Sequence, residues 1–344
     1  MGALWNDLGV YVSVNREGTL GTGIATARRL SLSADYQPVA DAVELADDAG
    51  NTIGTEGPKR TAILTRRAGV ALPWNFVGPD EMAWCLAYTL GEPSTAAADT
   101  SAYAHTFAAA ASRTLRTFTL EEYLASGVQK KFPSGMIADW SLRVQRQQLA
   151  TMRANVVFAG TKAAGTGTGS FISGEPVFRG KGLAAYIGTA YDGSPALGGA
   201  DLSSPTTLTA LVTDIDMGIT NIRNMGGLYT FAGDTIARAE RGPRAYSLGL
   251  TLEVADHTYM DLIPAQTTKA LAIEWDSGVL AGTATQNYAW KIVFPACVFE
   301  SVGSSWDADG RLRQAFRVRI LEDATYGRIQ AVVWNKTATY AAAA

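Results

Sequence analysis

Tyr246-Ser247-Leu248-Gly249-Leu250-Thr251-Leu252-Glu253-Val254 alternates apolar with small or polar side chains without a break. Such alternation marks a strand with one buried face, because successive side chains leave opposite sides of an extended backbone. The same period continues outward in both directions. Leu30, Leu32, Ala34 and Tyr36 fall on one side of a predicted strand, with Arg29, Ser31, Ser33 and Asp35 on the other. Leu211, Ile215, Met217 and Ile219 oppose Val212, Asp214 and Asp216, while Phe316, Val318 and Ile320 oppose Arg317 and Arg319. A chain built from half-buried strands is predicted to be mainly β.

The strands come in a recurring order. Gly9-Val10-Tyr11-Val12, leading to Glu17-Gly18, has a counterpart in Ala184-Ala185-Tyr186-Ile187, leading to Asp192-Gly193, at an offset of 186 − 11 = 175. The segment from Arg29 to Ala34 aligns with Asp214 to Ile219, and Gly57-Pro58-Lys59 with Gly242-Pro243-Arg244, both at 185. Phe132-Pro133 followed by Trp140 aligns with Phe294-Pro295 followed by Trp306, at 294 − 132 = 162. Colinear landmarks of this kind predict an internal duplication. The expected organisation is a first unit over residues 1–160 with an insertion near 92–111, a linker over 161–182, and a second unit over 183–344.

The length of 344 residues accommodates two units of ordinary size. A hydrophobic share of 47% with 35 glycines fits a folded, turn-rich chain rather than a disordered one. The net charge of −3 offers no general basic surface for gripping nucleic acid. The first residues lack the basic and apolar regions of a secretory signal, and no stretch approaches a membrane span, so synthesis in the cytoplasm and no membrane partner are expected. Cys85 and Cys297 make no metal-ligand spacing and are predicted to be reduced, partly buried thiols.

Pro79-Asp80-Glu81 opens a predicted helix with an acidic first turn, Met82, Cys85 and Leu86 supply its apolar side, and Gly91 with Pro93 ends it. A shorter second helix is expected over 258–262. Each unit is therefore expected to be a β-sandwich or open barrel with one flanking helix. Two long excursions, 40–56 and 223–241, exceed ordinary hairpin loops and read as contact arms. Residues 160–182, with Gly165-Thr166-Gly167-Thr168-Gly169-Ser170, read as a flexible connection, and the terminal alanines as a loose tail.

Catalytic chemistry has little foothold. His105 and His257 are far apart and read as packing or surface residues. The chain has no Gly-x-Ser-x-Gly, no His-Glu-x-x-His and no paired CxxC; the Gly-x-Gly in 165–170 lacks the last glycine of a dinucleotide fingerprint and a phosphate-binding lysine. Asp307-Ala308-Asp309-Gly310 lacks the downstream Glu of a calcium loop and reads as a turn. The carboxylates Glu121, Glu122, Asp139 and Asp307 are scattered. No enzyme activity, cofactor or metal is expected.

Taken together, the segment from Trp5 to Gly23, the strand units around Gly57-Pro58 and Gly242-Pro243, and the closing strands near Ala315–Leu321 and Gln330–Trp334 resemble the major tail tube proteins of long-tailed bacteriophages, in the class whose tube domain is duplicated. That resemblance covers nearly the whole chain and rests on order and duplication rather than on one diagnostic motif. It implies two tandem β-sandwich domains, homotrimeric pseudo-hexameric rings stacked into a virion tail tube, contacts with other tail proteins, and passage of double-stranded DNA without sequence-specific binding. Carried onto this chain, Asp41, Glu44, Asp47, Asp48, Asn51, Arg223, Asn224, Tyr229, Phe231 and Arg238 become candidate ring-stacking residues. Ser31, Ser33, Asp214 and Asp216 become candidates for the channel lining, and the 92–111 insertion would form lobes on the ring's exterior. A tail-tip or baseplate component with the same domain, and a tandem β-sandwich that binds carbohydrate or a receptor, are the alternatives.

Overall fold

The computed structural model describes residues 9–47, 61–125, 128–172, 174–208, 212–224, 228–229, 236–254, 267–306 and 310–342. Among them are eighteen strands and one helix, and the strands are joined by antiparallel pairing. In the first half they are β1 (Gly9–Val12), β2 (Arg28–Arg29), β3 (Ala40–Asp47), β4 (Thr61–Trp74), α1 (Pro79–Thr89), β5 (Ser94–Asp99), β6 (Ala102–Ala108), β7 (Phe118–Ala125), β8 (Val128–Gln145), β9 (Thr151–Phe158) and β10 (Ala163–Ala164). The second half holds β11 (Leu183–Gly188), β12 (Thr206–Thr207), β13 (Val212–Thr220), β14 (Ala245–Glu253), β15 (Lys269–Leu280), β16 (Asn287–Trp306), β17 (Leu312–Ile320) and β18 (Gln330–Asn335).

Seven pairings of the first half recur in the second. The pairs β1–β2, β1–β7, β7–β8, β8–β9, β8–β10, β4–β9 and β3–β4 are repeated as β11–β12, β11–β15, β15–β16, β16–β17, β16–β18, β14–β17 and β13–β14. The registers repeat as well. Val12 faces Leu120, which faces Phe132; Ile187 faces Leu271, which faces Phe294. Two of the offsets read from the sequence, 175 at Tyr11 and 162 at Phe132, are therefore in register.

For the segment from Arg29 to Ala34 the offset of 185 is corrected to 178, while Gly57-Pro58-Lys59 lies outside the described residues. Ala71 faces Asn155 as Gly249 faces Arg317, and Ala40 faces Gly69 as Gly218 faces Ser247, so β3 and not the Arg29–Ala34 segment is the counterpart of β13 (218 − 40 = 178). Beyond Arg29 that segment leaves the ladder, because Ser33 N–H donates to Pro73 C=O, Tyr36 N–H turns back to Ser33 C=O, and Glu122 takes both the Tyr36 hydroxyl and the Val39 N–H. Trp140 and Trp306 are not equivalent either. In register, Trp140 opposite Ala154 corresponds to Ser301 opposite Phe316, and Val144 corresponds to Trp306.

β8 and β16 are long because each serves two ladders. The first part of β8 pairs with β7 and β10, its last part with β9; β16 divides likewise between β15 with β18 and then β17. Register shifts at Ile137/Asp139 and Ser301/Gly303 accompany the change, as bulges do where strands bend. Apolar faces of both sets of ladders meet in a contiguous core that takes residues from both halves, from Val10 to Ala341.

α1 runs where the sequence places it, with Glu81 Oε2 accepting the Gly78 N–H at 3.0 Å, and Gly91 leaves it at φ +138, where glycine has no side-chain penalty. It is buried on nearly all sides, against β6, β8, β16 and β18. The second expected helix, 258–262, and His257 lie outside the described residues.

Three expectations about loose segments are corrected. Residues 160–182 are strapped down: β10 pairs with Lys130 and Lys131, Glu121 accepts the N–H groups of Thr166 and Gly167, and Phe178 is buried beside Trp275 and Trp290. The 92–111 insertion is no separate lobe, since β5 and β6 form a hairpin whose β6 pairs with β18 of the second half. At the C-terminus Tyr340 and Ala341 are buried. In each case pairing or burial against distant parts of the chain fixes a segment whose local composition looks loose.

Candidate assembly surfaces

One pairing joins the halves in the middle of a long ladder. β8 faces β13, with Trp140 opposite Ile219, Leu142 opposite Met217 and Val144 opposite Ile215. All six side chains are buried, so the seam is fastened from its inner face. On the outer face Arg143 donates to Asp214 at 2.7 Å, Gln145 to the same carboxylate at 3.0 Å, and Arg146 pairs with Glu253 at 3.0 Å. Together β3, β4, β9, β8, β13, β14, β17 and β16 make one run of neighbouring strands through both halves.

The outer face of the second half of that run is an open depression. A cross-strand row reads Arg143, Asp216, Gly249, Arg317, Glu300, so opposite charges alternate across four of its five positions. Ser247, Thr251 and Ala315 lie beside it. Asp214 and Asp216 thus sit on a regular exposed strand face, as the alternation predicts. Ser31 and Ser33 do not: they precede β3 outside any strand, Ser31 is exposed, and the Ser33 hydroxyl donates to Asp35. Their assignment to the same lining is corrected for the reason given above, the loss of the ladder after Arg29.

The proposed stacking arms are also redrawn. Asp41, Glu44 and Asp47 lie on β3, not on a loop, because the alternating run from Ala40 pairs with β4; Asp41 meets Lys162 at 3.0 Å. Asp48, Asn51 and Phe231 lie outside the described residues. Arg223, Asn224 and Arg238 are exposed, whereas Tyr229 donates its hydroxyl to Arg66 C=O at 3.2 Å. What is described of 223–241 folds onto its own chain: Leu228 and Ile236 are buried with Leu115, Met136 and Ala159. Arg241 donates to the carbonyls of Ala110 and Ser112, and Arg244 to those of Thr89 and Leu90 at the end of α1, where unpaired helix carbonyls need donors. The arginines that pin this excursion were invisible as anchors in the sequence, since their acceptors are backbone atoms far away in the chain.

Buried charge is used internally. Asp80 in the first turn of α1 holds Arg28 at 2.7 Å, Thr337 at 2.8 Å and the Tyr340 hydroxyl. Glu175 accepts the Asp80 N–H at 3.0 Å; burial first, and then the charge of Asp80, push its carboxyl up to about 8, and the same two causes push Glu81 up to about 7. Lys291, fully buried, meets Asp201 at 2.6 Å and Glu274 at 3.2 Å, while Glu274 also accepts the N–H groups of Gly198 and Gly199. His105 is buried among Thr95, Asn335 and Thr337. Of the scattered carboxylates, Glu121 and Glu122 take the backbone bonds already described and Asp139 takes Asn155 Nδ2 at 2.7 Å, while Asp307 lies outside the described residues. Cys85 and Cys297 are free thiols, both buried.

Among the described residues no group of three or more His, Cys, Asp or Glu side chains could hold a metal ion, and no helix is long and apolar enough to cross a membrane. No family model matches the chain, and no curated protein matches it.

Proposed function

We propose that this chain is a structural, self-assembling protein of the phage tail tube kind: two tandem β-sandwich units per chain, three chains to a pseudo-hexameric ring, and rings stacked around a channel that double-stranded DNA traverses. The recurrence of seven pairings in matched register, joined side by side at β8–β13, carries this reading. A chain that is twice the same unit, with the halves laid edge to edge, already contains one contact of a head-to-tail ring. Repeating that contact between chains removes open sheet edges, the surfaces a free β-protein must otherwise protect.

The face bearing Asp214, Asp216 and Arg317 suits a conduit. Its arginines stand among carboxylates, so passing phosphates meet little net positive charge and release few counterions. In this reading the partners are further copies of the chain and other tail proteins, the place of action is the virion tail after assembly in the bacterial cytoplasm, and no catalysis is involved. Arg223, Asn224 and Arg238, which are exposed, are the residues proposed for ring stacking.

Negative-stain electron microscopy across a concentration series, with mass measurement of the soluble form, tests the proposal. Tubes or trimeric rings are expected; a persistent monomer under all assembly conditions would overturn it.

A further inference from the structure

Deepening the self-assembly reading and resting on it, we infer that the last part of β16 in one copy pairs antiparallel with β3 of the next, in a register dictated by the internal β8–β13 seam. β8 is flanked there by β9 and β13. Its counterpart in β16 has β17 on one side and, among the described residues, no strand on the other. β13 is flanked by β14 and β8, whereas its counterpart β3 has β4 and, among the described residues, no second strand. The two open edges are therefore the two sides of the seam, displaced to opposite ends of the ladder.

The offsets convert one register into the other. Adding 162 to a β8 residue beyond both bulges and subtracting 178 from its β13 partner turns Ser141–Gly218 into Gly303–Ala40. Between the bulges the β8 step is 161, since Trp140 faces Ala154 and Asp139 faces Asn155 as Ser301 faces Phe316 and Glu300 faces Arg317, so Trp140–Ile219 becomes Ser301–Asp41 and Asp139–Thr220 becomes Glu300–Ala42. The bulges in β8 and β16 fall two residues apart, but Arg143 opposite Thr151 and Ser305 opposite Arg313 show that the offset is restored beyond both.

Side-chain chemistry points to the same occupant. At the internal seam Trp140 is 1% exposed and Val144 2%. On the outer edge Trp306, the counterpart of Val144, is 72% exposed, and Val302, in the bulge of β16, is 64% exposed. Large apolar side chains on an open strand edge attract another strand, and β3 presents exposed Ala40, Asp41 and Ala42 to receive them. The partner is a second copy of this chain, because only that copy carries the complementary edge at a spacing the seam already satisfies.

Cysteine pairing tests the register. The doubly substituted chain D41C/S301C, and separately A42C/E300C, is oxidised mildly under assembly conditions and run on a denaturing gel; native Cys85 and Cys297 are buried, which limits background. An intermolecular ladder ending at a covalent trimer is expected from at least one pair, and none from the single variants or from the displaced pair D41C/W306C. Tubes that form without a ladder from either pair, or a ladder from the displaced pair alone, overturn the register and leave the tube proposal standing. Folded chains that give neither tubes nor ladder overturn both.

Discussion

Val144 and Trp306 occupy equivalent places in a repeated pairing network, yet one is sealed and the other is among the most exposed apolar residues described. The difference lies in what stands beside them: β13 covers the first, and within the chain no described strand covers the second. One pattern of hydrogen bonds can thus serve as core in one copy and as sticky edge in the other. Stability should reside in the internal seam, and association in its outer counterparts.

That division is broken most directly by truncating one residue of the inner seam and one of the outer edge. Trp140→Ala should cost about 3–5 kcal/mol, as expected for a large aromatic removed from a packed core, whereas Val302→Ala should stay within about 0.5 kcal/mol. Urea denaturation of dilute protein measures both. Equal losses would mean that the outer edge is already part of the monomer's core. In a sedimentation assay of assembly the order should reverse among folded variants, with Val302→Asp abolishing polymer while leaving the denaturation midpoint nearly unchanged.

The halves also differ at Lys291, whose counterpart is Gln129 (291 − 162 = 129). Lys291 pairs with both Asp201 and Glu274 in a fully buried site, so Lys291→Met leaves two buried carboxylates without their cation and should cost about 3–5 kcal/mol. Gln129→Met, on a half-buried strand position, should change stability by less than about 0.5 kcal/mol. Adding Asp201→Asn and Glu274→Gln to the lysine variant should restore most of the loss. Failure of that rescue would show that the lysine's stem, rather than its charge, is what the fold requires.

These contrasts also explain how much could be read in advance. α1, β13, β14, β17 and the register of Tyr11 with Tyr186 were legible because each is a local period or a short landmark. Arg29–Ala34 shows the limit: its alternation is as regular as that of β13, but Glu122, nearly ninety residues later, captures Tyr36 and Val39 and pulls the segment off the ladder. Residues 160–182 and 223–241 look loose for a related reason. Their anchors are backbone N–H and C=O groups, present at every residue and therefore silent in composition. Of the candidate sites, Asp214 and Asp216 follow from alternation, whereas the open edge at Val302 becomes visible only when the two registers are superposed.

The segments that follow β10 and β18 converge on one point, Asp80, and there pH distinguishes them. Glu175, from the first, has its carboxyl raised from 4.5 to about 8 in the folded chain. The folded state therefore keeps a proton that the unfolded chain loses above about 4.5, and this site's contribution to stability declines as pH rises from about 4.5 through about 8. Glu175→Gln retains an oxygen for the Asp80 N–H but removes the ionisation. Near pH 4 its stability should match the parent, and at pH 8.5 it should exceed it by about 1–3 kcal/mol. Parallel stability curves for the two proteins between these limits would refute a role for this carboxyl.

The smallest effect is expected on the outer face of the seam. Arg143 and Asp214 bridge β8 and β13 at 2.7 Å, but the arginine side chain is 53% exposed, so water and salt screen the pair. The residues at the matching offsets are Ser305 and Tyr36, the latter buried and off the ladder, so a seam between copies would have to hold without this ion pair. A double-mutant cycle on Arg143→Ala and Asp214→Ala should give a coupling of about 0.3–1 kcal/mol that shrinks in high salt. A coupling several times larger would make charge the fastener of the internal seam, and the apolar outer edge could then no longer be treated as its equivalent. A small one leaves the buried row Trp140, Leu142 and Val144 as what holds the halves together, which is the property that Val302 and Trp306 carry to the edge.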